Sequence, residues 1–230
     1  MRRSEVNAIL LAAEETVARH GVALPPFASW TPEEMVARAP GTRIAAARMG
    51  WDVTDYGQGR FDALGLVLFT LRNGRLADLR GGGGMAYAEK LLISRRDQLS
   101  PMHTHAVKAE DIICRGVDAP GAALAVRLHG SDGAGGFAED RGCTVLRDGV
   151  PCDVPAGEVI RLAPGESVTL MPGDWHAFWG EGGDVLIGEV STVNDDETDN
   201  LFRDPIGRFS EVEEDAPPRR LLVSDYAARL

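Results

Sequence analysis

The stretch "PMHTHAVKAED", residues 101–111, carries two of the chain's five histidines, His103 and His105, with Glu110 five positions after the second. On an extended strand alternate side chains share a face, so the two imidazoles point the same way. A strand resuming near residue 108 would also put Lys108, Glu110, Ile112 and Cys114 on one face. About 70 residues later "PGDWHAFWG" supplies His176 after a proline–glycine turn. Three imidazoles and a carboxylate from separate strands converge only where a sheet closes on itself, as in a barrel. An isolated histidine usually packs beside aromatics or sits on the surface; the His-x-His-x4-Glu spacing with a second Gly-x2-His favours ligation. This donor set suits Mn, Fe, Co, Ni or Zn and leaves coordination positions open, without choosing among them.

The rest of the chain supplies the strands. "FDALGLVLFTLRNG" (61–74) is an apolar run ending in Asn73-Gly74, a dipeptide suited to a hairpin turn. Further strand-like runs lie at 86–94, 110–115, 122–129, 143–147, 158–162, 167–171, 175–179 and 184–191, separated by Gly, Pro or Asp. Many short strands at close spacing predict an antiparallel sandwich or barrel. Ahead of them, residues 4–20 form an amphipathic helix pattern with Ser4 as cap and Gly21 as stop. A second helix is expected at 31–39, where Thr31, Pro32 and Glu34 make a capping box. The expected organisation is a single unit over 1–230: a helical segment (1–50), a barrel (60–195) and a C-terminal extension (196–230). In that extension "SEVEEDAPPRR" is expected to be exposed and "LLVSDYAARL" to fold back on the barrel. "GGGG" (81–84) lacks the Gly-Lys-Ser/Thr of a phosphate loop and is read as a connection between strands.

Composition narrows the function. A net charge of −11 argues against nucleic acid, which needs clustered cations, and against anionic lipid surfaces. No apolar run reaches the ~18 residues that cross a bilayer. Acidic residues interrupt the basic N-terminal pair and no signal-type core follows, so a cytoplasmic protein is expected. Cys114, Cys143 and Cys152 have neither the number nor the spacing of a disulfide framework. Against 22 arginines there are only two lysines, Lys90 and Lys108. A chain that has exchanged its surface lysines and kept two gives those two a claim to function.

"HTHAVKAEDIICRG" (103–116) resembles the first motif of the cupin superfamily and "PGESVTLMPGDWHAFWG" (164–180) its second. The glycine that usually precedes the first motif is missing, and Pro172 abuts Gly173; the ligand spacing is intact. By that resemblance His103, His105, Glu110 and His176 are the four metal ligands, and the fold is mainly β, a cupin-type antiparallel jelly roll with an N-terminal helical segment. Together "LPPFASW" (24–30), "GWDVTDYG" (50–57), "LVLFTLRNG" (66–74), "YAEKLL" (87–92), "PMHTHAVKAEDI" (101–112) and "GEVSTVNDDETDNLF" (188–202) resemble the bacterial D-lyxose isomerase family of cupins. The resemblance implies a Mn²⁺-dependent homodimer, with Co²⁺ as a possible substitute ion, interconverting D-lyxose and D-xylulose and often accepting D-mannose and D-fructose.

An aldose–ketose isomerase moves hydrogen between C1 and C2, and a cation gripping O1 and O2 stabilises the enediolate. Lys108, beside a cation, is expected to have a lowered pKa and to serve as an acid–base group. Glu189 shares its face with Val185 and Ile187, a charge on an apolar inward stripe, and is the expected carboxylate base or its partner. Lys90, in "AEKLL", is read as a substrate-hydroxyl binder, although a buried Lys–Glu ion pair explains both residues equally simply. Asp199, in the acidic loop "NDDETDN" (194–200), is assigned to a substrate hydroxyl at the barrel mouth. That loop lacks the glycine and terminal glutamate of a calcium-binding EF-hand. Trp175, like Trp179, flanks His176 and could stack on the sugar, although large aromatics usually serve the core. Two rivals share the ligand set: an Fe-dependent dioxygenase, which needs no lysine at the metal, and a non-catalytic sugar-binding cupin, which would tolerate loss of Lys108 and Glu189.

Overall fold

The run Leu66–Leu71 is apolar at nearly every position because both faces of its strand are covered. In the computed structural model, which describes residues 1–230 apart from the side chains of Leu76 and Leu79, Val67, Phe69 and Leu71 point to one core and Leu66 and Leu68 to another. Among the described residues thirteen strands form the two sheets: β1 (Gly50–Thr54), β2 (Leu66–Arg72), β3 (Tyr87–Ser94), β4 (Ser100–His105), β5 (Glu110–Val117), β6 (Ala123–His129), β7 (Cys143–Arg147), β8 (Val150–Val154), β9 (Val159–Leu162), β10 (Ser167–Leu170), β11 (Trp175–Glu181), β12 (Val185–Thr192) and β13 (Asn200–Phe202). They form an eight-stranded sheet in the order β1-β2-β3-β12-β5-β10-β7-β8 and a five-stranded sheet in the order β13-β4-β11-β6-β9. Leu92, Ile112 and Ile187 of the larger sheet meet Val126, Leu128 and Phe178 of the smaller across the interior. The expected jelly roll is therefore present, as two facing antiparallel sheets.

The outer face of the larger sheet carries the other core. Helix α1 (Arg3–Arg19) lays Val6, Ile9, Leu10, Ala13 and Val17 against Trp51, Phe69 and Leu91. Each of the larger apolar side chains contributes about 1.5–3 kcal/mol by leaving water. The helix begins one residue before Ser4; Arg2 is its cap residue, with Glu5 accepting from the Arg2 amide, and Ser4 instead bonds Asp215. Helix α2 (Pro32–Arg38) has the expected Thr31–Glu34 capping box. The C-terminal stretch does return: Leu221, Leu222, Val223 and Tyr226 complete this core, and the buried Arg3 guanidinium binds both Glu214 and Asp225.

Two sequence expectations need correction. β2 and β3 pair, but residues 73–86, including a short helix at Leu76–Arg80, join them, so Asn73-Gly74 is no two-residue hairpin. The Asn73 amide instead donates to the carbonyls of Ala47 and Asn194, and its oxygen accepts from the Asn194 amide. Strands β1 and β13 lie outside the 60–195 span assigned to the barrel and extend one sheet each.

Candidate metal and substrate site

His103 and His176 face each other across the β4–β11 pair. Both are oriented by main-chain carbonyls: His103 Nδ1 lies 2.8 Å from Pro101 O, and His176 Nδ1 lies 3.1 Å from Asp174 O. A carbonyl only accepts, so each Nδ1 donates and each Nε2 is turned to the interior, the arrangement that fixes a metal-binding imidazole. His105 joins them, and the three rings offer nitrogens within 4.8 Å of one another. Thr104, between the paired histidines, accepts from the Gly173 amide and so ties β4 to the turn before His176.

Glu110 Oε1 lies 3.1 Å from His176 Nε2 and 3.3 Å from His105 Nε2. Neither contact is aligned as a hydrogen bond. Both nitrogens of His105 and the Nε2 of His176 are thus buried without a partner among the described residues. Such atoms cost free energy unless something binds them. Burial, then the neighbouring imidazoles, holds His103 well below the usual histidine pKa; burial, then Lys108, lowers His105. Both shifts favour the neutral imidazole, the form that can donate a lone pair to a metal. Unpartnered ring nitrogens around one carboxylate fit a divalent transition ion.

From Glu110 a chain of ionic contacts of alternating sign crosses the interior, buried as far as Lys90 and half-buried at Asp196 and Arg208. Lys108 Nζ is 2.6 Å from Glu110 Oε2 and 2.9 Å from Glu189 Oε1. Glu189 Oε1 is 3.2 Å from Lys90 Nζ, which also donates to Asn194 Oδ1 at 2.5 Å. Lys90 lies 3.9 Å from Asp196, Asp196 is 3.3 Å from Arg208, and Arg208 is 2.8 Å from Asp52. Strand parity explains the inward set: Lys90 alternates with Leu91, Glu189 pairs across to both Lys90 and Ile112, and Glu110 opens β5.

The protonation states follow from these neighbours. Burial raises the carboxyl of Glu189, but Lys108 and Lys90 outweigh it and leave the pKa below the usual value. Burial likewise opposes, and Lys108 and His105 reverse, the shift of Glu110, which sits well below its range. For Lys108 burial works downward, yet Glu110 and Glu189 lift it above the ordinary lysine value. The expected lowering is thus not produced by the protein's own groups, because the lysine sits between two carboxylates. Lys108 also enters from the turn before β5 and not from the strand itself.

Lys90, Lys108, Glu110, Glu189, His103 and His105 line one cavity, with Asp196, Arg208, Tyr56, Asn200 and Phe202. Two of the proposed substrate contacts are not among its lining residues. Asp199 is buried, and its two carboxylate oxygens accept from the amides of Val107 and Lys108, so it holds the turn between β4 and β5. Trp175 lies on the opposite face of β11 from His176, buried against Met102, Phe137 and Ala177. Trp179 is on that same outer face, beneath the Arg127 guanidinium. Alternation along the strand already carries this signal: an inward His176 requires an outward Trp175.

A protein-family model described as D-lyxose isomerase matches residues 1–226. The chain belongs to the D-lyxose isomerase family. It is 47% identical over 232 residues to a D-lyxose/D-mannose isomerase of Serratia proteamaculans, and 43% identical over 234 residues to one of Escherichia coli O157:H7. Each alignment covers 98% of both chains. Membership makes the chain an aldose–ketose isomerase and removes the dioxygenase and the non-catalytic binder as readings of the fold. Among solved structures, the L-ribose isomerase of Acinetobacter sp. DL28 superposes with a TM-score of 0.60 at 15% identity, over 93% of this chain and 98% of that one. The L-ribose isomerase of Geodermatophilus obscurus gives 0.57 at 16%, with the same coverage. These two likenesses are of fold. Among the described residues of this family member no helix is long and apolar enough to cross a membrane.

Proposed function

We propose that this chain interconverts D-lyxose and D-xylulose, and D-mannose and D-fructose, through an enediol, as a Mn²⁺-dependent homodimer in the cytoplasm. The observation that carries the proposal is the convergence, in one interior, of unpartnered imidazole nitrogens with a buried lysine–carboxylate chain. The names of the two bacterial relatives support the sugars.

His103, His105, His176 and Glu110 would hold the ion, which when bound supplies Lewis acidity to two adjacent sugar oxygens. Glu189, ionised and buried, is the acceptor for a proton from C2 of the aldose. Returning that proton to C1 completes the hydrogen transfer. Lys108, a protonated ammonium 2.9 Å from Glu189, gives a proton to O1 as the enediol forms and takes the O2 proton as the C2 carbonyl forms, which restores the ammonium. Opposite protonation states held in contact let one site act on carbon as base and on oxygen as acid. Lys90 anchors Glu189 from its other side and presents ammonium protons to a substrate hydroxyl. Asp196 and Arg208, absent from the sequence-derived set, extend the polar wall away from the metal. Asp199 acts at one remove, fixing the backbone of Lys108.

A panel of aldoses offered to the Mn²⁺-loaded protein, with ketose formation as readout, tests the proposal. Ketose from D-lyxose and D-mannose, lost on chelation, is expected; ketose formation indifferent to chelation contradicts the metal dependence.

A further inference from the structure

Beneath the histidines the cavity changes character. Ser100 pairs with Phe178 one layer below the His103–His176 pair, and Tyr56 places its hydroxyl 2.8 Å from Ser100 Oγ. Leu66, Leu68 and Leu92 complete this floor. Within it the Tyr56–Ser100 hydroxyl pair is the polar feature. Two hydroxyls bring two O–H donors, and their mutual bond uses one. Whichever oxygen donates, the other O–H has no acceptor among the described residues, although Tyr56 is 3% and Ser100 1% exposed.

The chain also holds Tyr56 in an unusual conformation. Its φ of 56° lies in the left-handed region, disfavoured for a bulky side chain. The surrounding turn fixes it there: the Tyr56 amide donates to Thr54 Oγ1, Gln58 donates to the Tyr56 carbonyl, and Asp55 accepts from the amides of Gly57 and Gly59. The ring is thereby aimed inward, edge-on to Phe202, which itself neighbours His103. An over-determined left-handed aromatic with an unanswered buried donor points to a ligand contact.

We propose that the Tyr56–Ser100 pair receives the terminal hydroxymethyl of the sugar and sets the chain length the enzyme accepts. This rests on the isomerase reading above. With C1 and C2 at the histidine layer, the far end of an open-chain aldose meets the floor. A terminal CH₂OH matches it: methylene for the leucines and one hydroxyl for the spare donor. A pentose and a hexose that agree at the reacting carbons differ in how far this end reaches.

Steady-state kinetics of the full-length Mn²⁺-loaded protein on D-lyxose and D-mannose test this, with Tyr56→Leu and Tyr56→Phe beside the parent. Tyr56→Leu opens the floor and should raise the mannose-to-lyxose ratio of kcat/KM by about 10-fold or more, the scale of one methylene in a fitted pocket. Tyr56→Phe keeps the shape and removes the hydroxyl; KM for D-lyxose should rise by about 5- to 10-fold, more than any fall in kcat. A Leu variant that folds, binds metal and keeps the parent ratio would overturn the proposal. If the Leu variant does not fold, the Phe variant decides, and an unchanged KM overturns it. A parent inactive on both sugars would instead remove the isomerase reading on which the floor's role depends.

Discussion

Lys108 Nζ lies 2.9 Å from Glu189 Oε1, and both side chains are buried on the inner face of the sandwich. The pair joins the turn between β4 and β5 to the middle of the larger sheet, with a protonated donor and an ionised acceptor in contact. Removing either partner leaves the other charged and buried, and the consequences are measurable.

Lys108→Met keeps the apolar stem and removes the ammonium. Loss of a positioned acid–base group lowers kcat by roughly 10²- to 10⁴-fold. The histidine cluster is untouched, so stoichiometric Mn²⁺ should still bind. Turnover near the parent value, at full metal content, would make Lys108 a bystander.

His176→Ala removes one of three converging imidazoles while leaving the apolar interior of β11 in place. The variant should fold, by circular dichroism and a cooperative melt, and lose metal affinity by calorimetric titration. Native affinity in the alanine variant would exclude His176 as a ligand.

Asp199 holds two amides of the turn that carries Lys108. Asp199→Ala leaves both N–H groups without an acceptor, each at a cost of about 1–3 kcal/mol if it stays buried. A lowered urea midpoint together with reduced kcat is expected, and Asp199→Asn, which retains one acceptor oxygen, should fall between. A variant with full kcat and a reduced midpoint would confine Asp199 to stability.

The histidine–glutamate core of the site was legible in "HTHAVKAED" and "GDWH" because ligand chemistry and strand parity are local properties. The inward placement of Lys90 and Glu189 was legible for the same reason, and the scarcity of lysine marked both Lys90 and Lys108. Asp196 and Arg208 were not: one lies in an acidic loop that looks solvated, the other is one arginine among 22. Only the folding of the C-terminal segment across β1 brings Arg208 to Asp52 and Asp196. β1 itself escaped notice because "GWDVT" is short and its second face buries Asp52 and Thr54, although Trp51 and Val53 alternate with them. The pKa of Lys108 depended on a second carboxylate from β12, a distance sequence does not supply.

Acid titration separates the two carboxylates on Arg208. Burial raises Asp196, but Arg208 and then Lys90 outweigh it and depress its folded pKa; its contribution is present above the unfolded value of about 3.9 and lost as pH falls through the folded one. Asp52 runs the other way. Burial outweighs Arg208 and raises its pKa, so its ionisation opposes folding once pH rises past the unfolded value. Asp196→Asn should therefore cost up to about 3 kcal/mol at pH 7 and flatten the loss of stability below pH ~4. Asp52→Asn should relieve part of its burial cost at pH 7. Urea midpoints from pH 3 to 7 read both; an Asp196→Asn midpoint equal to the parent at pH 7 contradicts the ion-pair assignment.

Isomerisation of D-lyxose in D₂O, with Mn²⁺-loaded protein and NMR of the ketose, tests proton carriage by the Lys108–Glu189 pair most directly. If Glu189 takes the C2 proton and returns it to C1, part of that hydrogen exchanges with solvent while it is on the carboxylate. Deuterium at C1 of the D-xylulose formed is the predicted result, under nitrogen as in air. Ketose formed with no solvent label at C1 would mean that hydrogen passes directly between the carbons, and would take Glu189 and Lys108 out of the proton path.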